Sequence, residues 1–458
     1  MIEDEIVREY DVRGVYKKNL TPETAEHIGA ALCGYLKKHN LNGKIAICCD
    51  GRHSSPTLSK SLMKGIIESG RDVLDIGLGP TPLLYFSNFV CDDVIAGVMI
   101  TGSHNPPEYN GFKFIVNKKP FYGQDLKDVF LKKVSIDSSV LPGKQIRKSL
   151  SDEYIEFLVK TFSVISNRTV VWDCGNGATG EIIEELCKNL KGRHVVLNGK
   201  IDGNFPSHHP DPAEEKNLLE IINKVKEIDA DFGIAFDGDG DRLGIVDKKG
   251  TIVWGDQILA ILAQDLLKDN PGAPIIADVK SSKVLFDIID ESGGGSVIWK
   301  TGHSNIKTKM IELNSPLAGE MSGHIFYKDG YYGYDDAIYA AIRFMNCFDK
   351  NPQCISYVVD RFSKVVSTPE IRVQCDEDKK FVVVDLMKRD LGDKGIDYTD
   401  TDGIRVDREE GWWLIRASNT QDILVVRVEG QTSRNFENLK NECKDLLHKH
   451  GLILPVGF

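Results

Sequence analysis

The chain has 458 residues, 41% of them apolar, enough for several cores at about 100–200 residues per domain. Its formal net charge of -11 disfavours nucleic acid or an anionic membrane as the main partner, yet leaves room for an anionic substrate held by local Arg and Lys. No apolar run reaches the ~18 residues of a transmembrane helix. The ten cysteines show no C-x-x-C spacing and the opening MIEDEIVREYDVRG is too charged for a secretory signal, which predicts reduced thiols in the cytoplasm.

Along the chain, strand-like runs alternate with helix-like ones, the pattern of α/β layers. A strand running into a polar loop opens each of three regions: KIAICCDGRHSSP, TVVWDCGNGATG and APIIADVKSSK. Each region also contains a strand, a tight loop and a second strand: VIAGVMI before GFKFIV, FGIAF before RLGIV, and SPLAG before HIFYK. The repetition suggests three similar domains, bounded near residues 147, 250 and 362, spanning 1–147, 148–250 and 251–362. From 363 to 458 the pattern changes to the strands GIRVD, WWLIRAS and ILVVRVEG and a closing helix over FENLKNECKDLLHKHGL, a smaller α+β unit.

Four loops carry chemistry. In DGDGDR, Asp237, Asp239 and Asp241 alternate with glycines that let the backbone curl, so that three carboxylates aim at one hard divalent cation such as Mg²⁺. An EF-hand does not fit, because the sixth and twelfth positions from Asp237 are Arg242 and Lys248. The bland alternative is a solvated acidic turn. The loop TGSHNPPEYNGFK sets Ser103 beside His104, and in an extended segment successive side chains diverge, so His104 is not expected to activate Ser103 directly. A serine that accepts and returns a phosphoryl group needs instead a metal, nearby cations and a base for the acceptor hydroxyl, roles open to DGDGDR, to Lys113 or Lys280, and to His104. Its bland alternative is a structural turn. In GEMSGH, Glu320 and Ser322 stand two apart, an acceptor and a hydroxyl suited to vicinal sugar hydroxyls. In RASNTQD, an Arg fork, two hydroxyls and turn amides make a phosphate cradle around Arg416 without a P-loop. The four together describe phosphoryl transfer on a phosphosugar.

One motif competes. GNGATG, Gly175 to Gly180, matches a dinucleotide fingerprint after a strand and before a helix. The end of the next strand offers Asn198 where the ribose needs an acid, and a strand-to-helix turn wants glycine for geometric reasons alone. A structural turn is the expected reading, and the chain has no Walker A sequence.

With REYDVRG, DGRHSSP, TGSHNPPEYNGFK, DCGNGATG, GNFPSHHPDP, DGDGDR, DVKSSK, TGHSNIK, GEMSGH and RASNT in this order, the chain resembles the α-D-phosphohexomutase family, most closely its bacterial phosphomannomutase/phosphoglucomutase branch. The resemblance runs nearly end to end. It implies four domains around a central cleft, three of mixed α/β core and a fourth related to the TATA-box-binding-protein-like fold. It implies that Ser103 carries the phosphoryl group, that its phosphate holds Mg²⁺ with Asp237, Asp239 and Asp241, and that His104 and Lys280 are acid/base candidates. Tyr10, Arg13, Lys113 and Arg242 match positions around the reacting phosphoserine and substrate. Glu320 and Ser322 would hold sugar hydroxyls with His303 and His324 nearby, while Arg416, Ser418, Asn419 and Thr420 grip the phosphate that does not react. The implied reaction passes through glucose 1,6-bisphosphate or mannose 1,6-bisphosphate, which also serves as activator. Small hexose phosphates are the expected partners, in a monomer or, alternatively, a dimer. Two rivals remain: a phosphoglucosamine mutase, whose third loop commonly has Gln where Met321 stands, and a non-catalytic sugar-phosphate-binding protein. Gln421 and Asp422 depart from the family pattern, since a carboxylate beside a phosphate site weakens binding unless it turns away.

Overall fold

The computed structural model describes residues 2–134, 139–163, 166–376, 378–419 and 421–455. The chain forms two compact units, Met1–Ile258 with Ser322–Pro352, and Leu259–Met321 with Gln353–Phe458. All ten cysteines are free thiols, and among the described residues no helix is long and apolar enough to cross a membrane.

The first unit contains two sheets. Strands β1 (Val12–Val15), β2 (Lys44–Cys49), β3 (Val73–Leu78), β4 (Val94–Ile100), β5 (Tyr109–Val116), β6 (Lys119–Pro120) and β7 (Gln145–Arg147) form a sheet ordered β1-β5-β4-β2-β3-β7, with β6 on β5. β2 runs parallel to β3 and β4, whereas β5 is antiparallel to β4. VIAGVMI is covered almost along its whole length, as expected of a strand with helices on both faces. The helix Pro22–Lys38, between β1 and β2, starts from a Thr21 capping box with Pro at its first turn and ends on Lys37 and Lys38, each feature favouring the helix where it sits.

The second sheet, β8 (Thr169–Asp173), β9 (Arg193–Leu197), β10 (Phe232–Phe236), β11 (Leu243–Asp247) and β12 (Ile252–Val253), is ordered β12-β11-β10-β8-β9. The same arrangement recurs: β8 runs parallel to β9 and β10, and β10 turns back antiparallel into β11. Residues 322–352 join this unit through aromatic and polar contacts. Asp336 accepts from the hydroxyls of Tyr154 and Tyr331 and caps the helix Ala337–Lys350 through the Tyr339 amide. Phe344 and Phe348 of that helix pack edge-on against Phe232 of β10.

In the second unit, β13 (Pro274–Asp278), β14 (Gly295–Trp299) and β15 (Leu317–Gly319) form a parallel core. After the GEMSGH loop, β16 (Ile325–Tyr327) belongs to the first unit. Strands β17 (Val366–Ser367), β18 (Ile371–Gln374), β19 (Ile404–Arg408), β20 (Gly411–Ala417) and β21 (Ile423–Gly430) make an antiparallel sheet, β17-β21-β20-β19 with β18 also on β21. The helices Lys380–Asp393 and Ser433–Lys449 pack apolar side chains into its core, the α+β unit expected from the sequence.

Two long-range anchors hold the loops of the first unit. Arg52 is buried, pairs with Asp50, and donates to the carbonyls of Ser103, Asn105, Pro106 and Tyr109 at 2.6–2.9 Å. Replacing Arg52 with Ala strands these carbonyls and the Asp50 charge, so a loss of about 3–5 kcal/mol is expected in denaturation of the variant. At the second anchor, His208 donates through Nε2 to Asp173 at 3.0 Å. Burial disfavours its imidazolium, but the hydrogen bond and charge of Asp173 outweigh burial and raise its pKa above the ordinary histidine value. A raised histidine stabilises fully below its unfolded pKa of about 6.5 and ceases to do so as pH rises through the folded value. The difference in melting temperature between wild type and His208→Gln should therefore be largest near pH 6 and shrink towards pH 8; a difference that grows with pH contradicts this assignment.

Candidate active site

The loop after β4 and the loop after β10 meet. Ser103 sits at φ 49°, a left-handed conformation that costs a non-glycine residue energy and persists only when its surroundings impose it. Its amide donates to Thr101 Oγ1 at 2.7 Å, its carbonyl is taken by Arg52, and a Cβ on the preceding Gly102 would stand 2.5 Å from the central carbon of the Arg52 guanidinium. The buried Oγ donates to Asp237 Oδ2 at 2.9 Å.

The left-handed turn also overturns the expectation that Ser103 and His104 diverge. Ser103 Oγ lies 3.1 Å from His104 Nδ1, because a turn of this hand, unlike an extended strand, brings successive side chains to the same side. Burial, together with Arg242, Arg13 and Lys113, pushes the His104 pKa well below the ordinary histidine value, so the ring is neutral at neutral pH.

Asp237, Asp239 and Asp241 are fully buried, with one oxygen of each within 4.8 Å of the others. Gly238 between them is required by contact, since a Cβ there would stand 2.5 Å from the Ser103 carbonyl oxygen. Lys113 of β5, itself buried, donates to Asp239 at 2.8 Å and to Asp241. Thr81 donates to Asp239 at 2.6 Å. Burial alone would raise the Asp239 pKa, but Lys113 and Thr81 hold it below the usual carboxylate range. Burial opposes the Lys113 charge, but the three aspartates raise its pKa and keep it an ammonium. Asp237 lies well above the carboxylate range, first from burial and then from the charges of Asp241 and Asp239. One ammonium does not balance three carboxylates, and Asp239 Oδ1 and Asp241 Oδ1 are buried without a hydrogen-bond partner. Buried carboxylate oxygens left this way fit a hard divalent cation, whose ligands are oxygens.

Around this centre, Arg13 of β1 donates to Asn105 and Asp11 at 2.5 Å each, and Tyr10 precedes it in the loop leading to β1. Arg242 Nε donates to His324 Nε2 at 3.2 Å and its Nη1 lies 3.5 Å from Asp211. An arginine can only donate, so a neutral His324 carries its proton on Nδ1, which faces Asp335 Oδ2 at 3.3 Å and Asp241 Oδ1 at 3.7 Å. Ser322, at the start of residues 322–352, belongs to this unit.

GNGATG supports the metal-type loop from behind. The Ala178 amide donates to the Gly238 carbonyl at 2.9 Å, and a Cβ on Gly177 would lie 2.7 Å from that same oxygen. The glycines serve this close approach, which accounts for the motif as a structural turn.

The second unit gathers the remaining residues. Lys280 Nζ is 3.1 Å from Glu370 and 3.8 Å from Asp278; burial opposes its charge, but Glu370 and Asp278 raise its pKa and keep it cationic. Its loop is held by buried arginines of the antiparallel sheet. Arg405 donates to the carbonyls of Val279 and Ser281 at 2.7 and 3.0 Å, and Arg427 to that of Lys280. Glu320 accepts from the Gly302 amide at 2.5 Å, at the start of the helix His303–Leu313. Arg416 Nε donates to Asp402 at 2.9 Å, and the same carboxylate oxygen accepts from the Thr301 amide at 3.1 Å. Arg416 and Ser418 are buried, Asn419 is half-buried, and Thr420 lies outside the described residues. Asp422 is exposed, and the buried Lys380 donates to the neighbouring Gln421 carbonyl at 3.1 Å.

Arg52, Asp335, Glu370, Asp402 and Arg405 escaped the sequence reading, because no local spacing marks the partner that folding brings to each. Only Arg52 carried a signal, its place inside DGRHSSP.

The phosphoglucomutase/phosphomannomutase family models match in order: α/β/α domain I over residues 4–130, domain II over 152–250, domain III over 254–365 and the C-terminal domain over 370–446. A phosphomannomutase/phosphoglucomutase of Pseudomonas putida is 42% identical over 438 residues, covering 96% of this chain and 94% of that protein. A phosphoglucomutase of Neisseria gonorrhoeae is 38% identical, with 99% of each chain covered. The structure of a phosphoglucomutase/phosphomannomutase family protein from Burkholderia thailandensis superposes with TM-score 0.92 at 36% identity, over 99% of this chain and all of that one. At 13% identity and TM-score 0.62, an N-acetylphosphoglucosamine mutase of Aspergillus fumigatus, solved with glucose 1,6-bisphosphate, shares the fold over 99% of this chain and 97% of its own. With all four domains matched along its length, the chain belongs to the phosphoglucomutase/phosphomannomutase family and is an enzyme that interconverts hexose phosphates.

Proposed function

We propose that the chain interconverts the 6- and 1-phosphates of glucose and mannose, with Ser103 as the residue that carries the phosphoryl group between the two positions. The observation that supports this most directly is the seating of Ser103 Oγ on Asp237, inside a buried set of three carboxylates and one ammonium. In this reading the four family domains correspond to residues 1–147, 148–250, 251–362 and 363–458.

Asp237, Asp239 and Asp241 would hold Mg²⁺ together with the seryl phosphate, and the ion would neutralise phosphate charge during transfer. The chain's own residues do the rest. Lys113, Arg13 and Arg242 supply fixed positive charge for the phosphoryl oxygens. The sugar hydroxyl gives its proton to the neutral His104 ring as its oxygen bonds to phosphorus, and the bond from phosphorus to Ser103 Oγ breaks, the freed serine oxygen taking up that proton. His104, neutral and 3.1 Å from Ser103 Oγ, is placed to take up and return a proton at that oxygen. Lys280, kept cationic, is the acid partner, and His324 stands beside Arg242 as a second ring able to exchange a proton. Tyr10, Glu320, Ser322 and His303 bind the sugar, while Arg416, Ser418, Asn419 and Thr420 hold the phosphate that stays. The intermediate is a hexose 1,6-bisphosphate, which rephosphorylates Ser103 through its other phosphate after reorienting.

Three outcomes test the reading. Intact-mass analysis should show one phosphate on the purified chain that disappears on incubation with glucose 6-phosphate, and Ser103→Ala should lack it and lose about 10⁴-fold or more in kcat. A phosphate retained by Ser103→Ala places the carrier elsewhere. For the metal, Mg²⁺ at one hundred times its Kd should stabilise the EDTA-treated protein by about 2.7 kcal/mol, and Asp239→Asn should lose most of that response. An equal rise in melting temperature for wild type and Asp239→Asn excludes this loop as the site. Finally, kcat/KM on glucose 1-phosphate should exceed that on glucosamine 6-phosphate; the reverse order selects the phosphoglucosamine mutase instead.

A further inference from the structure

The helix His303–Leu313 places Lys307 one turn beyond His303, on the same face. Lys307 is buried, at 7% exposure, and its Nζ lies 3.2 Å from His303 Nδ1. A lysine ammonium has three donors and no acceptor, so it can share this contact only with an Nδ1 that carries a lone pair. The choice of ring nitrogen follows: with Nδ1 accepting, the neutral imidazole bears its proton on Nε2.

We infer that Lys307 is a positioning residue that fixes His303 as the Nε2–H tautomer, so that His303 meets the sugar phosphate as a hydrogen-bond donor. This rests on the reading of His303 as a sugar-binding residue. Its chemical consequence is definite. An Nε2–H addresses a lone pair, of a phosphate oxygen or a sugar hydroxyl oxygen, and has no lone pair with which to take a proton from a hydroxyl. His303 therefore binds and does not act as a base, in contrast to His324, whose Nδ1 carries the proton because Arg242 donates to Nε2. Three neighbouring features keep the ring in place. His303 is the first residue of its helix, Glu320 accepts from the preceding Gly302 amide, and the Thr301 amide is tied to Asp402. A buried ammonium at this distance also costs more to move than an exposed one, because its desolvated charge needs its hydrogen-bond partners. The pair was open to view in the sequence as the i and i+4 positions of TGHSNIK, but spacing alone does not say that the lysine turns inward.

The test is a nitrogen-15 NMR measurement on the full chain labelled at histidine, with His303 assigned as the resonance missing from His303→Gln. The expected result is an Nε2–H ring in wild type at pH 7.5, and in Lys307→Met a shift towards a mixture of tautomers. Lys307→Met should raise the KM for glucose 1-phosphate by roughly three- to tenfold with a smaller change in kcat, the effect of weakening one hydrogen bond to bound substrate. Lys307→Arg, which restores a donor, should recover part of both changes. An Nδ1–H ring in wild type overturns the inference, and this result does not depend on whether any variant folds. So does a folded Lys307→Met protein with unchanged tautomer and unchanged KM. Full activity in His303→Gln would instead remove His303 from the sugar site, and it would leave the tautomer result standing.

Discussion

The first unit depends on one buried guanidinium. Arg52 reaches four carbonyls of the segment 103–109 while its own charge is met by Asp50, and no other side chain among the described residues organises that loop so fully. Carbonyls gathered to one centre force the backbone to turn around it, and Ser103 takes up its left-handed conformation at the start of that turn. The strain is local and the anchor is buried, so the energy stored in the serine is held by contacts that solvent does not compete for. Its result is chemical. The hydroxyl points at Asp237 and shares space with His104, an arrangement an extended loop would not allow.

Charge then decides what the buried centre can bind. Three carboxylates this close are tolerable only when cations lie among them, and Lys113 supplies one. The ammonium takes one oxygen each from Asp239 and Asp241 and leaves the opposite oxygens without partners. The glycines of DGDGD answer to the same packing, since Gly238 is pressed between the Ser103 carbonyl on one side and the GNGATG turn on the other. The aspartate loop, the GNGATG turn and the Ser103 loop are thus one packed object, built from three segments that are distant along the chain.

The second unit repeats the device with different parts. Buried Arg405 and Arg427 collect the carbonyls of residues 279–281, as Arg52 does for the serine loop, and the Lys280 side chain is left aimed at Glu370 and Asp278. Arg405 also stacks on the Trp412 ring at 3.9 Å, so the clamp lies with Trp412 and Leu414 on the face of the sheet opposite the one that the helices cover. Asp402 joins Arg416 to the TGHSNIK loop through a single carboxylate oxygen. In both units a loop, that of Ser103 in one and that of Lys280 in the other, takes its position from buried arginines elsewhere.

Much of this is legible in the sequence. Residue order alone determined the α/β alternation, the strand–loop–strand units around Ser103 and Asp237, the change to a smaller α+β unit near residue 363, and the family, because apolar periodicity and motif spacing are local properties of the chain. The alternating aspartates were readable as a metal-type loop for the same reason. Tertiary structure decided the rest. Whether Ser103 and His104 converge depends on a backbone angle set by Arg52 51 residues away, and what Lys113 and Lys280 pair with depends on strands and loops that only folding brings together. A guanidinium's partners are carbonyls that every residue carries, so no residue type in the sequence marks them; their selection is made by position in space alone.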